Sequence, residues 1–470
     1  MGAAHRMSKS INKPWKGDSI YKRIKPVRPV VGQFNPGQFQ KKYPFVFPIF
    51  AAQNEPMADW KKKTKSEIKK RVFDALSKNV DYDEVNPLGI PGSHLDSKVF
   101  HQDSPFLADA PYLSTLIHNP NHIGCHTLGK SESFFEGTQA IERELIAICA
   151  ENILNAPKNS CDGYVASGGT EANMQAIWIY RNFFMREHGL KHKEISIICS
   201  RDFHYSMSKA ADVLGIEMVS VLVDDQERTL IKSELVKSIQ TQKKKGVRAF
   251  IAVTNMMTTM FGSVDNPMDY AVALNEAGVH FKLHVDGAYG GFIYPFTSPD
   301  NNLDFRNEVV NSVTLDAHKM VQAPYGTGIF LIRKGWMQYA NTKDASYVEG
   351  EDYTLIGSRS GANAIAVWMI LMTYGRFGWD EKMTILMKRT DWLVEQLEVL
   401  GVEFYRNPHA NIVTFRSEFG APELARKYGL VPDNHQNPNW YKVVVMEHVT
   451  IDRLEPLVED LKQMNSAIQK

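Results

Sequence analysis

Short apolar runs alternate with longer segments of helical period along the middle of this chain. Between about residues 140 and 335, runs such as "ISIICS", "AFIAVTN" and "HFKLHVD" are separated by segments whose apolar positions recur with the spacing of a helix face. Continuous apolar runs are typical of strands buried on both faces of a parallel sheet, and the intervening segments are typical of the helices that cover it. The pattern therefore predicts an α/β fold around a large, mostly parallel sheet.

The same pattern gives the individual elements. Strands are predicted at 163–167, 195–200, 217–223, 249–255, 280–286, 312–316 and 328–334, and helices at 140–154, 171–188, 205–215, 234–245 and 268–278. Farther along, helices at 362–374 and 380–400, strands within 404–417 and 440–449 and a last helix from about 450 predict a smaller α+β domain.

Three regions follow from these elements. Residues 1–95 are predicted to form an N-terminal arm and helical segment, because their first part is basic and rich in Pro, Gly and Gln. Residues 96–345 are predicted to be the large α/β domain, and residues 346–470 the small C-terminal α+β domain.

Charge and cysteine content narrow the class of protein. The 54 Lys and Arg against 53 Asp and Glu give a net charge of +1, so no field attracts nucleic acid or an anionic membrane. The apolar stretch "YPFVFPIFAA" is too short to span a bilayer. No CxxC pair occurs among the four cysteines (Cys125, Cys149, Cys161, Cys199), so we expect reduced thiols in a cytoplasmic protein.

Ligands of open α/β sheets bind at the carboxyl ends of the strands, where this chain places four polar groups. After the first strand, "SGGTEAN" (167–173) has glycines and the start of a helix, whose free N–H groups can bind a phosphate. The alternative is an ordinary turn and helix cap. The segment "SGGTEAN" matches neither a Walker A loop nor the GxGxxG motif, so it does not specify a nucleotide.

Three single residues follow other strands. His204 could stack on an aromatic ligand, Asp286 could meet a protonated ring nitrogen, and Lys319 could form a Schiff base with a carbonyl. Taken alone, each could equally be an exposed histidine, a turn-capping aspartate or a solvated lysine. Taken together, they require a ligand with a phosphate, an aromatic ring, a basic ring nitrogen and an aldehyde. Pyridoxal 5′-phosphate has all four.

The sequence resembles the pyridoxal-phosphate-dependent group II amino-acid decarboxylases. The segments "SGGTEAN", "HYSMSKAADVLG", "HVDGAYGG", "DAHKM" and "GSRSGANAIAVW" carry the likeness in this order, from about residue 85 to the C-terminus. Within that family, "FFEGTQAIERELI" and "TLIGSRSGANAIAVW" are most similar to the archaeal tyrosine/aspartate decarboxylases and the sphingosine-phosphate lyases. The resemblance implies the aspartate aminotransferase-like fold, fold type I of the pyridoxal-phosphate enzymes.

The resemblance also implies residue roles. Lys319 would be the Schiff-base lysine, and Asp286 would pair with the pyridinium nitrogen. Ala288 and His204 would lie against the two faces of the ring, and Thr259 would line the cofactor site. Gly169, Thr170 and His318 would contact the phosphate within the same subunit. Gly357 and Ser358 would contact the phosphate from a partner subunit. This implies a homodimer with shared active sites. The Cα atom would be protonated by a loop tyrosine, Tyr347 or else Tyr353, or by the histidine over the ring, His204.

Two departures from the family pattern concern the phosphate and the ring. Asp316 stands where many relatives have Asn, and we expect it to point away from the phosphate. Gly287 replaces the more usual Ala. Neither changes the assignment.

The segment "HNPNHIGCH" contains His118, His122, Cys125 and His126, a spacing that would suit zinc on a helix. Pro120 breaks such a helix, so we expect no metal there. The resemblance instead implies that His122 or His126 lies near the substrate.

These observations predict an α-decarboxylase of an L-amino acid, with tyrosine or aspartate favoured by the resemblance and glutamate or histidine behind them. One alternative is a carbon–carbon lyase of the sphingosine-phosphate lyase type. Another is a non-catalytic relative of the fold, against which the intact lysine, aspartate and histidine argue. An aminotransferase would need an arginine for the substrate α-carboxylate, and Arg359 and Arg416 leave that open.

Overall fold

The computed structural model describes residues 135–341 and 351–468, together with 119–129, 96–100, Leu88, Tyr112, Thr115 and Leu116. The chain divides into two units, Met1–Ala75 and Leu76–Lys470, and all described residues belong to the second. The predicted boundaries at residues 95 and 345 remain predictions.

Most predicted strands are present, with shifts of one or two residues at their ends. In chain order, the strands of the described residues are β1 (Asn121–Ile123), β2 (Cys161–Ala166), β3 (Ile195–Ser200), β4 (Glu217–Val221), β5 (Ala249–Asn255), β6 (His280–Gly287), β7 (Val310–Asp316), β8 (Gly328–Arg333), β9 (Ser358–Ser360), β10 (Phe404–Tyr405), β11 (Ile412–Arg416), β12 (Val431–Pro432) and β13 (Trp440–Val444). Strands β1, β9 and β12 were not predicted.

Seven of the described strands form one sheet in the order β2-β8-β7-β6-β5-β3-β4. Neighbours from β4 to β7 pair in parallel, whereas β8 runs antiparallel to both β7 and β2. Strand β2 consequently has the same direction as the parallel strands. The carboxyl ends of β2, β3, β5, β6 and β7 therefore lie along one edge, which confirms the predicted α/β architecture.

The helices are α1 (Ser97–Phe100), α2 (Glu136–Ala147), α3 (Gly169–His188), α4 (Ser206–Leu214), α5 (Lys232–Lys244), α6 (Pro267–Glu276), α7 (Tyr294–Thr297), α8 (Gly361–Val399), α9 (Pro422–Lys427) and α10 (Ile451–Ile468). A π-helical turn, Ile148–Ile153, continues α2. Helix α3 is buried along much of its length and packs across the large sheet, so its first residues are fixed at the carboxyl edge.

The two helices predicted at 362–374 and 380–400 are the two halves of α8, which is bent at Gly375. This residue has φ 60° and ψ −179°, a conformation that glycine adopts readily because it has no Cβ. The strands predicted within 404–417 form the antiparallel hairpin of β10 and β11, and residues 407–410 form its turn. Strands β10, β11, β13 and β12 form the small sheet.

All four cysteines are buried and unbridged, as expected of reduced thiols. None of the helices in the described part of the chain is long and apolar enough to cross a membrane.

Candidate active site

A cavity of about 300 Å³ opens at the carboxyl edge of the large sheet. The residues that line it follow four different strands or begin the helix after them: Ser167, Gly168, Gly169, Thr170, Glu171, Asn173, His204, Tyr205, Ala288, Asp316, His318 and Lys319. Six residues singled out from the sequence are thus brought together from distant parts of the chain.

The glycine loop after β2 forms one wall of the cavity. Gly168 has φ 155° and ψ 172°, a region that is essentially restricted to glycine. A Cβ on Gly169 would lie only 3.0 Å from the Cβ of Ala288 and 3.1 Å from an oxygen of Asp316. These two glycines allow the first turn of α3 to approach the cavity closely, with its free N–H groups available to an anion.

Lys319 lies in a turn directly after β7, and its half-buried side chain faces the cavity. Its backbone N–H donates to the Asp316 carbonyl at 3.1 Å, which closes the turn. Its Nζ lies 3.9 Å from Asp316 Oδ2. This amine is close enough to the helix N-terminus that one small ligand could bridge the two.

Asp316 contradicts one expectation from the sequence. Its Oδ2 accepts a hydrogen bond from the backbone N–H of Gly169 at 3.1 Å, and its Oδ1 lies 2.8 Å from His318 Nδ1. The carboxylate therefore lines the cavity rather than pointing away from it. The physical reason is that the end of β7 lies beside the start of α3, where an unpaired N–H requires an acceptor.

His204 and Ala288 form two further parts of the cavity lining. His204 Nδ1 lies 2.9 Å from Ser206 Oγ, and the ring centroid of Tyr205 is 4.1 Å from that of His204. Burial lowers the pKa of His204, and the carboxylate of Asp286 only partly opposes this effect. A neutral imidazole therefore faces the cavity at neutral pH.

Asp286 lies directly behind Ala288 and is not itself part of the cavity lining. Its Oδ1 accepts the Ala288 backbone N–H at 3.1 Å, and its Oδ2 accepts from Asn173 Nδ2 at 2.9 Å. In the described part of the chain this buried carboxylate forms no ion pair. A buried acid without a cation is costly, so a cationic ligand atom would be favoured here.

Two residues beside Asp286 were missed from the sequence. Asn173 bonds to Asp286, and His284 bonds to Asn173 through Nε2 at 2.9 Å. A signal was available for both. Asn173 ends the "SGGTEAN" motif, and His284 lies two residues before Asp286, on the same face of β6.

Lys442 of β13 was also missed, although its position in a predicted strand is unusual for a lysine. It is 3% exposed, and its Nζ donates to the Thr259 carbonyl at 2.9 Å. Burial, and next the nearby charge of Lys319, lower the pKa of Lys442 to about 8. Within the residues that the structure describes it has no acidic partner, so a buried cation lies near the cavity.

The remaining predicted contacts do not line the cavity of this chain. Thr259 is exposed and contributes its carbonyl to Lys442, whereas Gly357 and Ser358 are exposed at the start of β9. Tyr347 lies outside the described residues. Tyr353 is half-buried against the core, and its carbonyl accepts from Gln175 at 2.8 Å.

Two histidines of "HNPNHIGCH", His122 and His126, converge on a carboxylate that sequence reasoning did not connect with them, whereas His118 lies outside the described residues. Glu142 Oε2 lies 2.5 Å from His122 Nδ1 and 3.1 Å from His126 Nε2, and the ligand atoms of the three residues are within 4.8 Å of one another. Arg359 lies 2.6 Å from Glu142 Oε1. Because this guanidinium already neutralises the carboxylate, a divalent cation would add unbalanced positive charge.

Both arginines that had left an aminotransferase open are paired with acids. Arg359 binds Glu142, and Arg416 lies 2.8 Å from Glu403 and 3.1 Å from Asp225. Neither guanidinium is therefore available to a substrate carboxylate.

The lining fits pyridoxal 5′-phosphate. Free N–H groups of α3 suit the phosphate, Lys319 suits the aldehyde, and the ring would lie between His204 and Ala288. The unpaired carboxylate of Asp286 suits the ring nitrogen.

The family model described as "Pyridoxal-dependent decarboxylase conserved domain" matches residues 123–418. A tryptophan decarboxylase of Clostridium sporogenes is 48% identical over 411 residues, which is 87% of this chain and 98% of that protein. A probable L-tyrosine/L-aspartate decarboxylase of Methanocella arvoryzae is 33% identical over 76% of this chain and 94% of its own length.

Among solved structures, L-methionine decarboxylase from Streptomyces sp. 590 superposes with a TM-score of 0.70. The match covers 87% of this chain and 97% of that one at 20% sequence identity. At this identity the similarity shows the fold alone, and that fold agrees with the one expected from the sequence.

Proposed function

Since the chain belongs to the pyridoxal-dependent decarboxylase family, we propose that it removes the α-carboxylate of an aromatic L-amino acid, with tryptophan as the first candidate. The cofactor is pyridoxal 5′-phosphate, and the products of such a reaction are CO₂ and the amine. The observation that carries the proposal is the convergence of Lys319, His204, Ala288 and the start of α3 on one cavity, with Asp286 behind it.

The bound cofactor supplies an electron-withdrawing ring that accepts the electrons of the bond to the departing carboxylate. Asp286 would hold the proton on the ring nitrogen, because it is buried and has no cation of its own. His204 would remain neutral over the ring face, and Lys319 would hold the aldehyde carbon until the substrate amine displaces it.

Lys442 does not itself line the cavity, but it is the buried cation beside Lys319 that we propose to orient the substrate carboxylate. Its Nζ uses one hydrogen on the Thr259 carbonyl and can donate the other two elsewhere. An α-carboxylate would supply the counter-charge that Lys442 lacks in the described part of the chain. Hydrogen bonds of this kind would fix which bond of the substrate stands perpendicular to the ring.

The described side of the cavity mouth favours an aromatic over an acidic substrate. Tyr205 lines the cavity and is 60% exposed, and Tyr325, 65% exposed, lies with its ring 4.8 Å from that of His318. Arg359 and Arg416 are already paired, so neither offers a cation to a second substrate carboxylate, and the Nζ of Lys209 lies over the Tyr205 ring, 5.1 Å from its centroid. This moves tryptophan and tyrosine ahead of aspartate, whereas the sequence alone favoured tyrosine and aspartate equally.

A homodimer with shared active sites completes the proposal. Gly357 and Ser358 are exposed where β9 begins, and there they could reach the phosphate in a partner subunit. Tyr347 remains the proposed donor of the proton to Cα. Tyr353 is the weaker candidate, because its ring packs on the core.

The test is a CO₂-release screen of the purified holoenzyme over the twenty amino acids, with the amine identified in each positive reaction. We expect CO₂ and tryptamine from tryptophan, weaker release from tyrosine and none from aspartate. Lys319→Ala is the inactive control, and Lys334→Ala, at a surface lysine beyond β8, is the matched control that should retain activity.

A phosphorylated long-chain amino alcohol is included in the same screen. Formation of an aldehyde from it, with no CO₂ from any amino acid, would replace the decarboxylase proposal by the carbon–carbon lyase. Release of CO₂ from aspartate alone would retain the decarboxylase and overturn the aromatic substrate.

A further inference from the structure

We propose that Asn173 positions both Asp286 and His204, so that one side-chain amide sets the geometry on two sides of the cofactor cavity. Asn173 lies in the second turn of α3 and is 1% exposed. The inference rests on the role proposed for Asp286 at the ring nitrogen. It adds a positioning residue that does not itself take part in the chemistry.

The hydrogen bonds of Asn173 fix which way its amide points. Nδ2 donates to Asp286 Oδ2 at 2.9 Å and to Ser206 Oγ at 3.0 Å. An ionised carboxylate can only accept, so the amide nitrogen must face Asp286. Rotating the amide by half a turn would place two oxygens against each other, which is strongly unfavourable in a buried site.

This orientation is compatible with one tautomer of His204, the one that the backbone N–H of Ser206 selects. Because Ser206 Oγ accepts from Asn173, the hydroxyl hydrogen of Ser206 is free to donate to His204 Nδ1, 2.9 Å away. The backbone N–H of Ser206 points at the same nitrogen at 3.3 Å. His204 Nδ1 is therefore an acceptor, and the ring proton is on Nε2.

The side-chain oxygen of Asn173 also fixes the donor and acceptor directions of the hydrogen bonds farther into the core. It accepts from His284 Nε2 at 2.9 Å, so His284 Nδ1 must accept from Ser312 Oγ at 2.7 Å. The Tyr180 hydroxyl in turn donates to Ser312 Oγ at 2.6 Å. Burial lowers the pKa of His284 to about 4, so this histidine is neutral. Every bond in the series thus has a defined direction, ending on Asp286.

The first test measures binding of pyridoxal 5′-phosphate to the apoprotein by fluorescence titration. Asn173→Ala should raise Kd roughly tenfold, the effect of losing one hydrogen bond to a charged group. In an Asp286→Ala background the same substitution should change Kd clearly less than tenfold, because the part of its effect that acts through that carboxylate is gone and only the contact through Ser206 to His204 remains. Asn173→Asp, which keeps the shape and the oxygen facing His284, should weaken binding at least as much as Asn173→Ala.

Asn182→Ala is the matched control. Asn182 lies farther along α3, where its Nδ2 donates to the Tyr339 carbonyl at 2.8 Å, away from the cavity. Its replacement should leave Kd unchanged. Equal weakening by Asn173→Ala in both backgrounds would show a merely structural role and overturn the inference. No effect of Asp286→Ala alone would refute the proposed ring-nitrogen role and remove the basis of the inference.

The second test needs no bound cofactor. Long-range ¹H–¹⁵N spectra of histidine-labelled apoprotein report which ring nitrogen carries the proton. We expect Nε2–H for His204 and for His284 in the unmodified protein. A proton on Nδ1 of either ring would overturn the proposed hydrogen-bond directions, whatever the titrations show.

Discussion

Replacing Arg359 by Met would remove the guanidinium partner of the buried carboxylate of Glu142 and leave it only the contacts with His122 and His126. The Arg359 and Glu142 side chains are 4% and 2% exposed and lie 2.6 Å apart. Arg359 also donates to the carbonyls of Val165 at 2.9 Å and Gly124 at 2.5 Å, so it ties β9 to β2 and to the segment after β1. Removing one member of a buried ion pair typically costs about 3–5 kcal/mol of unfolding free energy.

Urea denaturation followed by tryptophan fluorescence would measure this cost. We expect Arg359→Met and Glu142→Gln each to lower the unfolding free energy by about 3–5 kcal/mol, because each removes one member of the buried ion pair. The double variant should lose less than the sum of the two by at least ~2 kcal/mol, since neither partner is then left buried alone. Glu144→Gln, on the exposed side of α2, is the control and should cost under ~1 kcal/mol.

The pH dependence gives an independent check. Burial opposes ionisation of Glu142, but Arg359 and the two histidines outweigh it and hold its pKa well below the usual range. A carboxyl whose pKa is depressed by folding contributes stability above its unfolded pKa and loses it as the pH falls through the folded pKa. The difference between wild type and Glu142→Gln should therefore be constant at neutral pH and shrink only below about pH 4. Additive single variants, or a difference that already shrinks near pH 6, would refute the reasoning.

Four further outcomes are expected. Borohydride treatment of the holoenzyme should fix the cofactor on Lys319, and peptide mapping that finds it on another lysine would disprove the assignment. Asp286→Ala should lower kcat by at least about a hundredfold, because the ring would lose the partner of its nitrogen proton. The circular dichroism spectrum should be retained, and near-native turnover would exclude the role proposed for Asp286. Burial raises the pKa of Asp265 to about 6. The unfolding free energy should therefore fall as the pH rises from about 4 to 6, because the folded protein disfavours the ionised carboxylate. Asp265→Asn should accordingly be more stable than wild type at pH 7 but not at pH 4. Dialysis against a chelator should leave activity and stability unchanged, whereas a stoichiometric metal lost together with activity would point to His122 and His126 as ligands.

The elements of the large domain could be predicted because they depend on local pattern. Strands such as β5 and β6 are buried along most of their length, so their apolar runs are continuous, and the helices between them show one apolar face. The candidate cavity could be predicted for the same reason. Once a parallel sheet is accepted, the residues after β2, β3, β6 and β7 must share one edge, and the side chains there carry the chemistry of pyridoxal phosphate.

The contacts that the sequence did not reveal depend on pairs of residues far apart in the chain. Asp316 was expected to point away from the phosphate site because a like charge is unfavourable there, yet it accepts the Gly169 N–H, 147 residues away. Lys442 resembled an ordinary residue of a small-domain strand until β13 was placed beside the loop that carries Thr259.

The sequence by itself determined the α/β class, the edge at which the candidate site lies and the residue types proposed to bind the cofactor, because periodicity and strand ends are properties of consecutive residues. Only the tertiary structure decided that Asn173 joins Asp286 to His204 and that Glu142 pairs with Arg359. Those partners are separated by 113 and 217 positions, and a hydrogen bond depends on distances of a few tenths of an ångström, which no local pattern specifies.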